Sequence, residues 1–192
     1  MENILSRQSV KKMKRKTLKG VIEISQVEFK DNRGSFIENF NSKKFKALVR
    51  KDINFVQDNL STSKKGVFRG LHFQHKFPQA KLVSVISGEI LDIVVDLRKF
   101  SKSFGDWAAF KISSKNKKQI FIPEGFAHGF LSLSDETKVF YKVSDFWNPK
   151  DEYTLRFDDK KINIKLPFTP KSISRKDKEG LTLDELPSFD LK

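Results

Sequence analysis

The sequence predicts an all-β fold, a sandwich or barrel of short antiparallel strands. Two observations carry this reading. Apolar segments of strand length recur at intervals of about ten residues, with turn formers such as Gly, Asn, Asp and Ser between them. Apolar residues at helical spacing are confined, before the C-terminal end, to one short segment holding Phe45, Leu48 and Val49. No repeat of fixed period interrupts this pattern. At 192 residues the chain suits one domain with a substantial core.

The elements follow in order. Strands are expected at 20–24 and 27–29, then a turn at Asp31-Asn32-Arg33-Gly34 and a strand over 35–40. Ser42 is placed to cap the short helix. Strands over 55–59 and 66–74 come next, and 81–86 and 90–97 pair as a hairpin through Ser87-Gly88. Four more strands fall at 107–112, 119–122, 126–133 and 138–143, and the β part closes with 153–157 and 162–166. Thr182 and Glu185 have capping-box spacing, but Pro187 stops that helix within a turn.

Composition removes several classes. The chain has no cysteine, so a disulfide framework and a thiolate metal site are both excluded. No run of 18 apolar residues exists, and no apolar segment follows the N-terminal charges. The expectation is therefore a cytoplasmic protein without a membrane partner. The net charge is +14, of which residues 1–20 supply +6, from seven Lys and Arg against Glu2. The rest is scattered lysine, not clustered with stacking aromatics, which reads as a solvated surface and argues against a nucleic-acid partner. Such a charge still steers anionic small molecules. Residues 1–17 read as a flexible basic extension ahead of a single domain over 18–192.

Four segments carry candidate chemistry. In Gly66-Val67-Phe68-Arg69-Gly70-Leu71-His72-Phe73-Gln74, strict alternation puts Phe68, Gly70, His72 and Gln74 on one face and Val67, Arg69, Leu71 and Phe73 on the other. Gly70 is where a bulge could re-aim Arg69 or His72; a half-exposed strand with a hydrogen-bonded histidine is the alternative. In Pro123-Glu124-Gly125-Phe126-Ala127-His128-Gly129, the spacing Pro-x-Gly-x-x-His resembles the second motif of the cupins, small double-sheet β-barrels whose histidine often binds metal. A metal cupin also needs a His-x-His pair and a carboxylate. His72 and His75 are three apart, so no metal is expected. Tyr141 alternates with Val139 and Val143, which fits a core tyrosine, and Arg33 in its turn fits a solvated side chain.

Together these segments resemble the dTDP-4-dehydrorhamnose 3,5-epimerases, cofactor-free enzymes of cupin fold, over about Leu18 to Leu186. The similar segments include Asp31 to Glu38, Phe55 to Asn59, Val67 to Gln74, Lys81-Leu82-Val83, Ile122 to Phe130, Tyr141-Lys142 and Ser174-Arg175-Lys176-Asp177, in that order. The resemblance implies a double-sheet jelly-roll barrel and an isomerase that inverts C3 and C5 of a nucleoside-diphosphate-4-keto-6-deoxyhexose. It implies His72 as the base, held by Asp177, with Tyr141 as the acid on the opposite face and Lys81 at the enolate oxygen. It further implies Arg33 and Arg69 at the diphosphate, Glu38, Gln57 and Asn59 around the nucleotide, and His128 toward the sugar or diphosphate. Phe36 and Trp147 give the base a stacking surface. A homodimer with exchanged N-terminal strands is implied too, so that Arg33 and Phe36 serve the neighbour's site.

Relatives with the same residues that invert one carbon only, or that isomerise a CDP- or GDP-linked sugar, are not separated by these motifs. A β-barrel binding nucleic acid through its charge is the alternative from another class.

Overall fold

The structure, a computed structural model, describes residues 18–187 and Phe189; the basic extension expected over 1–17 lies outside the described residues. The chain runs through β1 (Ile22–Ser25), β2 (Glu28–Asp31), β3 (Gly34–Ile37), α1 (Ser42–Val49) and β4 (Gln57–Ser63). Four longer strands follow: β5 (Val67–Gln74), β6 (Lys81–Ser87), β7 (Glu89–Asp96) and β8 (Trp107–Ser113). β9 (Lys118–Ile122), β10 (Phe126–Ser132) and β11 (Thr137–Val143) complete the sheets. Short pieces close the chain: β12 (Glu152–Thr154), β13 (Ser172–Ile173) and α2 (Arg175–Lys178).

Two antiparallel sheets form a jelly roll. One has the order β1-β9-β6-β11-β4, the other β12-β5-β10-β7-β8, with β13 joining β5 in parallel. Alternation along the strands fills three layers. Between the sheets lie Val83, Ile90, Val94, Ile112, Ile120 and Val139. Outside the second sheet, Phe68, Leu71, Phe73, Ile93, Val95 and Leu131 are covered by the C-terminal segment through Leu155 and Ile162. Outside the first, Leu82 and Phe121 pack under Phe45 of α1. Burying a side chain of this size is worth about 1.5–3 kcal/mol, and Val49 of the same helix adds to the contact.

Three expectations are corrected. The segments 81–86 and 90–97 do not form a hairpin. β6 pairs with β9 and β11, while β7 pairs with β8 and β10. Only Gly88 separates β6 from β7, too little for a two-residue turn, and its φ of +82° carries the chain from one sheet to the other. The segment 162–166 is a loop, because Asn163 has φ of +54° and the buried Asp159 carboxylate takes the backbone N–H groups of Lys161, Ile162 and Leu183. The cap of α1 is Asn41, whose side chain accepts from the Lys44 N–H, one residue before Ser42. The Thr182–Glu185 turn is formed as expected, with Glu185 accepting from the Thr182 N–H and hydroxyl.

β5 departs from strict alternation. His72 stands opposite His128 on β10, yet Arg69 stands opposite Phe130, so three steps on β5 match two on β10. The extra residue falls at Gly70–Leu71. It leaves Phe68, Leu71 and Phe73 on the outer side and turns both Arg69 and His72 to the inner side. Gly70 has φ of +111°, and a Cβ there would lie 2.7 Å from both the Gly129 Cα and the His128 carbonyl oxygen. Gly70→Ala should therefore cost about 3 kcal/mol, from backbone strain and an overpacked strand crossing. Urea unfolding of the variant beside the parent checks this, and a loss below 1 kcal/mol would contradict the bulge geometry.

Candidate active site

Residues of both sheets line a cavity of about 680 Å³, a size that suits a small-molecule ligand. β5 brings Arg69 and His72 to one wall and β10 brings His128. From the facing sheet come Gln57 and Asn59 on β4, Lys81 on β6 and Tyr141 on β11.

The best-defined pair is His72 with Asp177. β13 docks beside β5, Ser174 caps the single turn that follows, and its hydroxyl accepts from the Asp177 N–H. The turn thereby aims a buried carboxylate at the β5 bulge. One oxygen accepts from the Gly70 N–H at 3.2 Å and the other lies 2.6 Å from His72 Nε2. Burial pushes the Asp177 carboxyl up, but His72, Gly70 and Ser174 outweigh it and hold the group below the usual carboxylate range. A carboxylate can only accept, so Nε2 carries the proton and Nδ1 is left as the basic nitrogen.

Lys81 is buried, and its Nζ donates to the His72 carbonyl at 3.3 Å. Burial lowers its pKa to about 8, against the opposing pull of Glu152 and Asp92. Tyr141 moves the other way. Burial and then the Glu152 charge raise its phenol, with Arg69 opposing, so it stays neutral well past pH 7. His128 Nε2 lies 2.7 Å from the buried Asp92 carboxylate, which gives the second imidazole a fixed orientation. Arg69 is held by Ser63 Oγ and the Thr62 carbonyl. Trp147 stands at the cavity with 55% of its surface exposed.

The family description that matches residues 15–185 is dTDP-4-dehydrorhamnose 3,5-epimerase. The chain belongs to this family. The enzyme of that name from Shigella flexneri is 47% identical over 153 residues, which is 79% of this chain and 84% of that protein. A crystal structure of dTDP-6-deoxy-D-glucose-3,5-epimerase from Legionella pneumophila, in complex with dTDP-4-keto-L-rhamnose, superposes with a TM-score of 0.87. It is 38% identical, covering 90% of this chain and 93% of the other. The Bacillus anthracis dTDP-4-dehydrorhamnose 3,5-epimerase with TDP and PPi bound gives 0.82 at 38% identity, covering 84% of this chain and 93% of that one. The family's members are isomerases of cupin-like fold, as the resemblance implied.

Of the site residues expected from the sequence, His72, Asp177, Tyr141, Lys81, Arg69 and His128 line one cavity with Gln57, Asn59 and Trp147. Arg33, Phe36 and Glu38 do not reach it. Arg33 pairs with Asp31 at 2.6 Å, Glu38 pairs with Lys44 at 2.8 Å, and Phe36 is exposed on the β2–β3 hairpin. Sequence reasoning missed the Glu152–Lys176 ion pair in the cavity wall and Asp92 behind His128. Asp92 carried a readable signal, since it is the polar residue that interrupts an apolar strand at an inward position. Among the described residues no group of three or more His, Asp or Glu side chains gathers as a metal site would require, and no helix is long and apolar enough to cross a membrane.

Lys81 gives a direct check on the site's electrostatics. A lysine ¹³C NMR titration should contain one resonance with a midpoint near pH 8 that disappears in Lys81→Arg. The ammonium is present below that pH and lost above it. A spectrum with no such resonance would refute the buried, desolvated position.

Proposed function

We propose that this protein inverts C3 and C5 of a nucleoside-diphosphate-4-keto-6-deoxyhexose, converting dTDP-4-keto-6-deoxyglucose to dTDP-4-keto-rhamnose. One observation carries the reading. The His72–Asp177 couple and Tyr141 belong to opposite sheets and line a single cavity, with Lys81 beside them.

Both carbons adjoin the ketone, so loss of either proton gives an enolate. His72 takes the proton on Nδ1, and Asp177 stabilises the imidazolium that results; such a base contributes about 10²–10⁴ in rate. The Lys81 ammonium bonds the enolate oxygen, a contact worth about 10²–10³. Tyr141, neutral across the working range, delivers a proton to the other face and is recharged from solvent, while the His72 imidazolium returns its proton to solvent before the next abstraction. Substrate and product are isomers, so electrons and atoms balance without an oxidant or reductant. Glu152 supports this division by favouring the protonated forms of both Lys81 and Tyr141. Arg69 and His128 serve the diphosphate and sugar, while Gln57, Asn59 and Trp147 face the nucleotide. The ligands named for the Legionella and Bacillus structures fit this assignment.

The reading extends to a homodimer. Among the described residues β2 and β3 pair only with each other, and the cross-strand partners Phe29 and Phe36 are 61% and 68% exposed. An isolated hairpin is marginally stable in water, so a second copy is the natural cover for this one. Arg33 and Phe36 then serve the neighbour's site. Light scattering should give twice the chain mass. Mixing inactive His72→Ala with Arg33→Ala should regenerate activity, because one site in the mixed dimer is intact. No gain on mixing would place Arg33 in its own chain's site or in none.

The reaction itself is tested with dTDP-4-keto-6-deoxyglucose in D₂O, followed by NMR. Deuterium should enter C3 and C5 with inversion, and His72→Ala should abolish both. Tyr141→Phe should keep exchange while inversion falls by a larger factor, since solvent can return a deuteron to the face His72 serves. Equal loss of the two signals would remove Tyr141 as the acid. Deuterium at one carbon alone would make the protein a single-carbon epimerase.

A further inference from the structure

Trp147 lies on a segment without regular structure, residues 145–148, and apolar burial does little to hold it. Phe146 and Trp147 are 65% and 55% exposed. Loops of that kind are ordinarily mobile. Here three glutamine side chains grip the backbone at four consecutive residues. Gln79 donates to the Asp145 carbonyl at 2.8 Å and Gln74 donates to the Phe146 carbonyl at 3.1 Å. Gln57 accepts from the Trp147 N–H at 3.0 Å, and Gln74 accepts from the Asn148 N–H at 2.7 Å. Glu152, which Lys176 holds, lines the same cavity wall as Trp147.

Gln74 is the centre of this clamp. It is 2% exposed, does not line the cavity, and follows His72 by two positions on β5. Its amide uses both protons and its oxygen, since the remaining N–H donates to the Phe77 carbonyl at 2.8 Å. Two donors and an acceptor at these points require a primary amide; a carboxylate or a thioether cannot reproduce them.

We propose that Gln74 is a positioning residue for nucleotide recognition, fixing the 145–148 loop so that Trp147 is a pre-formed stacking plate for the base. The inference rests on the reading of Trp147 as the base-stacking surface. Its energetic sense is that a plate ordered in advance removes the cost of ordering it on binding.

The test uses the full chain with Trp107→Phe, leaving Trp147 as the sole tryptophan, and compares TDP with inorganic pyrophosphate as probes. Gln74→Met should lower the steady-state anisotropy of Trp147 and raise its acrylamide quenching. It should weaken TDP binding roughly tenfold while pyrophosphate affinity stays within about twofold, because only TDP carries a base. In turnover, KM should rise by about the same factor with kcat nearly held. Unchanged anisotropy and TDP affinity would overturn the proposal, as would equal weakening of TDP and pyrophosphate, which marks a general collapse of the cavity. Should Gln74→Met fail to fold, Gln74→Glu keeps the shape and the acceptor but loses both donors, and absence of any loosening at Trp147 there is equally fatal. Trp147→Ala separates the two readings. If that variant binds TDP as tightly as its parent, the stacking role falls, whatever Gln74 does to the loop.

Discussion

The site depends on one extra residue in β5. Without it Arg69 and His72 would face opposite ways, one into the cavity and one into the C-terminal apolar layer. With it, they share a wall, and the Gly70 N–H turns from the ladder to the Asp177 carboxylate. The bulge is possible because β5 and β10 approach each other at two glycines, Gly70 and Gly129, where neither strand has room for a Cβ. A backbone constraint thus sets which imidazole enters the cavity, and the same N–H that the bulge frees helps hold that imidazole's carboxylate partner. A buried carboxylate with donors at both oxygens keeps its charge at moderate cost, whereas an unpaired one would take up a proton.

Each carboxylate at the cavity has a partner: Asp177 meets His72, Asp92 meets His128 and Glu152 meets Lys176. Two cations meet no carboxylate: Arg69 bonds Ser63 Oγ and the Thr62 carbonyl, and the buried Lys81 bonds the His72 carbonyl. A lysine so placed holds its proton weakly and gains most from an anion arriving in the cavity. In the proposed reaction the negative charge of an enolate, or of a diphosphate entering with it, supplies what the protein leaves out, so that binding and charge stabilisation are connected through one side chain.

Much of this was legible in the sequence. The strand count and spacing, the turn at Thr182–Glu185 and the possibility of a bulge at Gly70 follow from local rules of period, capping and glycine geometry. Most of what the sequence hid is decided by contacts between segments distant in the chain; the cap of α1, Asn41 in place of Ser42, is a local choice between neighbours. Ser87-Gly88 looks like a hairpin turn, and only the partner strands of β6 and β7 reveal a crossing between sheets. Residues 162–166 alternate like a strand, but Asp159 takes the N–H groups of Ile162 and Asn163 and also binds the distant Leu183 N–H, which ties the segment into a loop. Glu152 and Lys176 are unremarkable in sequence, since nothing local announces that residues 24 apart meet at a cavity. The same holds for the glutamines at 57, 74 and 79, whose common target is a loop beyond position 144.

The two-sheet architecture also explains why an inverting isomerase suits this scaffold. Inversion at carbon requires a proton acceptor and a proton donor on opposite sides of one plane, and a single sheet presents only one side. In a jelly roll the inner faces of two sheets confront each other, so alternate residues of β5 and β11 approach a flat ligand from both sides. The spacing between sheets, close to 10 Å, is about what a sugar ring and two hydrogen-bonding side chains fill. β5 is held by ladders to β10, β12 and β13, and β11 by ladders to both β4 and β6. The nucleotide end differs: Trp147 stands on a loop, outside the ladders, and its precision has to come from side-chain hydrogen bonds. Order at His72 and Tyr141 comes from the sheets, while order at Trp147 comes from three amides, and Gln74 on the strand of His72 joins the two.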